Sequence, residues 1–126
     1  MTRWLIDGMN VIGSRPDGWW SDRKGAQRRL VEELGRFAED GQEPVTVIFD
    51  GREHPIDPPA GVEVRFASTR GRNAADHDIA ALAAADEDPP GLTVVTFDAE
   101  LADRVESTGA STLGAGAFRR RLDDRL

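Results

Sequence analysis

The 126-residue chain contains no cysteine, which excludes disulfides, zinc–thiolate sites and thiol nucleophiles together. Histidine is nearly as scarce: His54 and His77 are the two present, too few for a histidine-rich metal centre. No apolar run approaches the roughly 20 residues that a membrane-spanning helix needs. No apolar signal region opens the chain, since a single Arg3 precedes what already reads as a core strand. These absences predict a cytoplasmic protein without membrane contact. Basic residues are outnumbered, 16 Lys and Arg against 23 Asp and Glu, for a net charge of −7. That balance argues against a general nucleic-acid binder, which carries a basic face. A nucleic-acid enzyme escapes the exclusion if its acids gather around a cation. Phosphate-binding fingerprints are missing too: there is no GxxxxGK[ST], and Gly114 and Gly116 do not complete GxGxxG.

What remains is an ordinary globular composition, 39% hydrophobic and 31% charged, of a length that suits one domain over residues 1–126. Four β-branched-rich runs stand out: WLI (4–6), VTVIF (45–49), VEVRF (62–66) and LTVVTF (92–97), with ASTL (110–113) as a weaker fifth. Three strong runs are almost continuously apolar, as parallel strands buried on both faces are; VEVRF alternates, as an edge strand does. Helical spacing covers residues 22–39 behind a Ser21 cap, 74–85 behind an Asn73 cap, 99–107, and 115–125 with a Phe118, Leu122, Leu126 stripe. The Pro-rich segment 51–61 reads as a loop. Alternating strands and helices predict an α/β fold, a three-layer α/β/α sandwich around a mainly parallel sheet of four to five strands.

Three strong runs end in an acid: Asp7, Asp50 and Asp98. In a parallel sheet all strand ends share one edge, so carboxylates distant in sequence converge there, where open α/β sheets bind their ligands. Asp76 and Asp78, in NAADHDIAAL, add acids from the first turns of a helix. Two residues apart, they do not share a helix face; Asp76 is favoured, with Asp78 as an outer partner. Each acid also has a local explanation. Asp7-Gly8 and Asp50-Gly51 are turn pairs, Asp98 is an N-cap, and Asp76 completes a cap. None of these explanations predicts that all should share one edge. Like charges in one cleft raise each other's pKa unless a cation offsets them. Oxygen-only ligation without Cys or paired His points to Mg²⁺ or Mn²⁺, ions of phosphodiester chemistry.

LIDGMNVIG, VIFDG, AADHDI and VVTFDAEL, in this order and spacing, resemble the NYN nuclease domains, specifically the YacP-like branch of the PIN-like superfamily. The resemblance spans nearly the whole chain and implies a metal-dependent nuclease acting mostly on RNA. It implies Asp7 as the first-strand metal ligand, Asn10 as the polar partner in D-x-x-N, and catalytic roles for Asp50, Asp76 and Asp98. Asp7, Asp76 and Asp98 are then the metal ligands, with Asn10 turned toward the cleft to bond a phosphate, a water or Asp7. One departure stands out: many members carry Ser between the Thr and Asp of the last motif, where this chain has Phe97, which removes a hydroxyl available to metal or phosphate.

A polyanion must be held locally by an acidic protein. Arg15, Arg23, Lys24, Arg28, Arg65, Arg70 and Arg72 fall in segments expected near the acidic edge, and Arg15, Arg23, Arg70 and Arg72 are the RNA-binding candidates. Trp19, beside Trp20, is a candidate stacking residue for single-stranded bases, with core capping as the alternative. Arg119, Arg120 and Arg121 spread around a helix and read as a solvated face. The leading expectation is an endoribonuclease cutting single-stranded or loop RNA, with presentation by a ribosome or other assembly left open. The alternative is a non-catalytic RNA-binding or adaptor module with a degenerate PIN-like site. An aspartyl-phosphate phosphatase needs a second Asp two residues after the nucleophile, where this chain has Met9.

Overall fold

The five apolar runs become strands β1 (Arg3–Asp7), β2 (Val45–Phe49), β3 (Val62–Phe66), β4 (Leu92–Val95) and β5 (Ser111–Leu113) of one sheet, ordered β3-β2-β1-β4-β5. The computed structural model describes residues 1–71 and 73–124. Every strand pairing is parallel. The central strands β1, β2 and β4 are buried on both faces, whereas β3 lies at an edge with Glu63 and Arg65 exposed. That placement accounts for the alternation of VEVRF. The chain reverses its direction of travel across the sheet between β1 and β4, so the crevice for a ligand opens between their C-terminal ends.

Helices cover both faces: α1 (Gly8–Gly13), α2 (Arg23–Gly41), α3 (Ala74–Ala85), α4 (Ala99–Glu106) and α5 (Ala115–Asp123). Side chains alternate across a strand, so β1 sends Trp4 and Ile6 one way and Leu5 the other. Trp4, Ile6, Val47 and Phe49 join a core with residues of α1, α2 and α5. Leu5, Ile48 and Val94 join a second core with Ala75 and Ile79 of α3 and Leu101 and Val105 of α4. Trp4, Phe37 and Phe118 form a ring triangle with centroids 5.1–5.5 Å apart. Such pairs contribute about 0.5–1.5 kcal/mol each beyond simple burial. Among the described residues no helix is long and apolar enough to cross a membrane.

Several boundaries differ from the sequence reading for local reasons. Helix α2 is capped by Asp22, whose Oδ1 accepts from Gly25 N at 3.0 Å, and Ser21 belongs to a preceding 3-10 turn. Asn73 stands before α3 in a left-handed conformation with φ 65° and caps nothing with its side chain. Strand β4 stops at Val95; Thr96 N still donates to Leu113 O of β5 at 3.2 Å, and Phe97 lies beyond the ladder. The short α1 replaces the turn expected at Asp7-Gly8. A Cβ on Gly8 would overlap the Phe49 ring, so only glycine lets this helix start against β2. Arg119 is no solvated residue: its side chain is 13% exposed and makes a bidentate bond to Glu33 at 3.1 and 3.0 Å. Leu126 of the α5 stripe lies outside the described residues.

Candidate active site

Each of the expected acids does cap or line a helix start, and the same backbone placement brings them to one edge. Asp7 ends β1 and N-caps α1, its Oδ1 accepting from Asn10 N at 3.4 Å. Asp98 N-caps α4, its Oδ1 accepting from Leu101 N at 3.1 Å. Asp50 follows β2, yet its Oδ1 accepts from Ala75 N at 2.9 Å. It therefore supplies from the neighbouring strand the cap that Asn73 does not. Asp76 lies in the first turn of α3. Helix N-termini carry partial positive charge, which offsets part of the cost of collecting four acids. Each capping bond engages one oxygen and leaves the other outside it.

Residual repulsion shows at Asp7 and Asp76. Asp7 is 1% exposed. Its pKa is pushed from 3.8 to about 7, first by burial, then by the charge of Asp76, with Asp50 adding less; the bond from Asn10 works in the opposite direction. Asp76 is raised as well, first by burial and then by the charges of Asp98 and Asp50. The charge of Asp76 thus acts on Asp7, and the charges of Asp98 and Asp50 act on Asp76, so the four carboxyls are electrostatic neighbours. Among the described residues, none of the four makes an ion pair with Arg or Lys.

The donor set fits a hard divalent cation in its chemistry, since it is all oxygen, acidic and unneutralised by basic side chains. It falls short of one in arrangement: among the described residues, no group of three or more His, Cys, Asp or Glu side chains is gathered closely enough to hold a metal ion.

Asn10 does something the sequence reading did not anticipate. Its Oδ1 accepts from Thr96 Oγ1 at 2.9 Å and from Phe97 N at 3.0 Å. A backbone N–H can only donate, which fixes the amide orientation. Asn10 therefore ties α1 to the tail of β4 across the crevice, and its side chain does not reach back to Asp7. Thr96, 4% exposed, also accepts from Asp98 N at 3.1 Å. Thr96 is thus a site-building residue that the sequence reading passed over. The signal was available in the TFD ending of the fourth run, where a Thr in an otherwise apolar strand needs a partner. Asp78 turns elsewhere: its carboxylate accepts from Ser68 N and Ser68 Oγ, both at 2.7 Å, and pins the loop before α3.

The RNA-binding candidates divide. Arg23 is exposed at the start of α2, stacks over Trp19 at 5.9 Å, and stands next to Gly51 at the end of β2. Trp19 itself is half-buried against the core, with its edge to the exposed Trp20. Arg15 is committed to acids, Asp123 at 3.3 Å and Asp17 at 3.7 Å. Arg70 is exposed in the loop before α3, and Arg72 lies outside the described residues.

A comparison with curated proteins gives no match. Among solved structures, Rae1 (YacP) from Bacillus subtilis superposes with a TM-score of 0.77 and 26% identity, over 98% of this chain and 75% of that one. A tryptophan-to-leucine variant of Rae1 superposes at 0.79 with 25% identity, over 98% of this chain and 76% of that one. Residues 4–125 match the family described as the YacP-like NYN domain. A parallel five-stranded sheet flanked by helices, acids at its C-terminal edge and this match together place the chain in the YacP-like NYN domain family, a nuclease family of PIN-like fold.

Proposed function

We propose that this protein is a divalent-metal-dependent endoribonuclease that hydrolyses phosphodiester bonds of single-stranded or loop RNA. The observation that carries the reading is the placement of Asp7, Asp50, Asp76 and Asp98 at helix starts along one sheet edge, with Asp7 buried there beside the charge of Asp76. A cluster that costs the apo fold a protonated, buried carboxyl has a use for a cation that removes the repulsion. Asp7, Asp76 and Asp98 would hold Mg²⁺ or Mn²⁺, which supplies the charge that activates a water and neutralises the departing oxygen. Asp50 holds the α3 terminus, and with it Asp76, at the right height. Asn10 and Thr96 do the same for Asp98. Arg23 and Arg70 supply positive charge for the RNA backbone beside an otherwise acidic edge.

Labelled single-stranded RNA incubated with the protein and Mn²⁺, with and without EDTA, tests the reading. Cleavage should be abolished by EDTA and by either Asp7→Asn or Asp98→Asn. If wild type and both variants cut alike, the site is wrong. One observation favours the alternative, a non-catalytic RNA-binding module: no three of the described acids are gathered around a common point. That alternative predicts RNA binding without cutting at any metal concentration.

A further inference from the structure

Phe97 is 66% exposed, although it sits between the buried Thr96 and the capping residue Asp98. Scattered surface apolar residues need no explanation. This one differs in where it is and how it is held. Leaving a Phe ring in water forgoes most of the favourable free energy its burial would bring. Its backbone, moreover, is among the most constrained at the site. Phe97 N donates to Asn10 Oδ1 at 3.0 Å, and Thr96 on one side and Asp98 on the other are joined by the 3.1 Å bond from Asp98 N to Thr96 Oγ1. A mobile loop would leave an exposed ring free to wander. Here an exposed ring stands on a fixed backbone, one residue from a carboxyl of the acidic group and at the mouth of the crevice between β1 and β4.

We propose that Phe97 is a base-stacking platform, which receives the nucleobase next to the scissile phosphate of single-stranded RNA. This rests on the nuclease reading above and adds to it a residue that places substrate. A ring face beside a charged cleft binds a base without reading its identity, because every base has a π-face. The acidic edge repels phosphates until a cation is bound, so an uncharged contact beside it gives the strand a hold that this repulsion does not weaken. Asn10 and Thr96 order the loop through the backbone and the Thr96 hydroxyl, which leaves the ring free for contact with a base.

Fluorescence anisotropy with a labelled single-stranded RNA in Ca²⁺, repeated with a series in which one nucleotide at a time is abasic, tests the proposal. Wild type should lose about 5- to 100-fold in affinity at one abasic position. Phe97→Ala should weaken the intact RNA by a similar factor and bind the intact and that abasic RNA equally. Phe97→Trp should retain wild-type affinity and the abasic penalty. In the cleavage assay Phe97→Ala should raise KM with kcat little changed, and its unfolding midpoint should match wild type because the ring is exposed. The inference is overturned if Phe97→Ala binds intact RNA as wild type does, or if the variant and abasic penalties multiply independently. A wild type that binds and cuts RNA but ignores Phe97 removes only this inference. A wild type that neither binds nor cuts removes the nuclease reading as well.

Discussion

Replacing Asp7 by Asn isolates the electrostatic cost of the site. The carboxyl is 1% exposed, and its pKa is raised from 3.8 to about 7, by burial first and Asp76 next. Between those values the folded protein keeps a proton that the unfolded chain has released. Stability is therefore full below about pH 4 and is lost as pH rises through about 7. At about 1.4 kcal/mol per pH unit, a gap of about 3 units amounts to about 4 kcal/mol above pH 8 in EDTA. The raised Asp76 acts in the same direction. Asn has no charge to desolvate and caps a helix as well as Asp does, so the α1 cap survives. In EDTA at pH 8, Asp7→Asn should be more stable than wild type by about 2–4 kcal/mol, raising the thermal midpoint by roughly 5–15 °C. The difference should vanish near pH 4. Mn²⁺ should stabilise wild type at pH 8 and leave the variant unmoved. Thermal unfolding followed by circular dichroism at pH 4, 6 and 8 measures all of this. If variant and wild type melt together at pH 8 in EDTA, Asp7 carries no buried-charge penalty and the argument for a cation loses its basis.

Asn10→Ala removes the acceptor of two bonds at the tail of β4 and leaves the buried Thr96 hydroxyl without an acceptor for its proton. It should cost about 1–3 kcal/mol in urea unfolding and speed amide exchange at Phe97 and Asp98. Asp50→Ala uncaps α3 from a distance and should cost about 1 kcal/mol, with Asp50→Asn recovering most of it; the exchange rate of the Ala75 amide reports the loss. Gly8→Ala forces a methyl against the Phe49 ring and should destabilise by about 1–3 kcal/mol, visible as a lower urea midpoint at unchanged slope.

Much of the architecture could be read from residue order because its causes are local. Apolar runs of strand length alternating with helical spacing lead to a parallel sheet, and the weaker alternation of VEVRF correctly marks an edge. Asp7, Asp50 and Asp98 at strand ends are visible as residues, and parallel pairing alone carries them to one side. Asn73 misled because a residue favoured as a cap is also favoured in the left-handed conformation it adopts. Its replacement, Asp50, is 25 residues away, beyond any local pattern. Arg119 misled for a similar reason: a helical Arg reads as solvated until the face of the neighbouring helix is known, and Glu33 is on that face.

What the sequence by itself determined is the class of fold and the inventory of acids, since both follow from periodicity and from which residue ends each strand. Only the tertiary structure decided how those acids are used. Whether Asp76 or Asp78 joins the group depends on which way α3 is rolled against the sheet. Whether Asn10 faces a ligand or clasps β4 depends on a contact 86 residues away in the chain. Whether Phe97 is core or surface depends on where β4 ends, at Val95, rather than on its own hydrophobicity. Local propensity is a property of neighbours in sequence, whereas desolvation and charge coupling belong to neighbours in space.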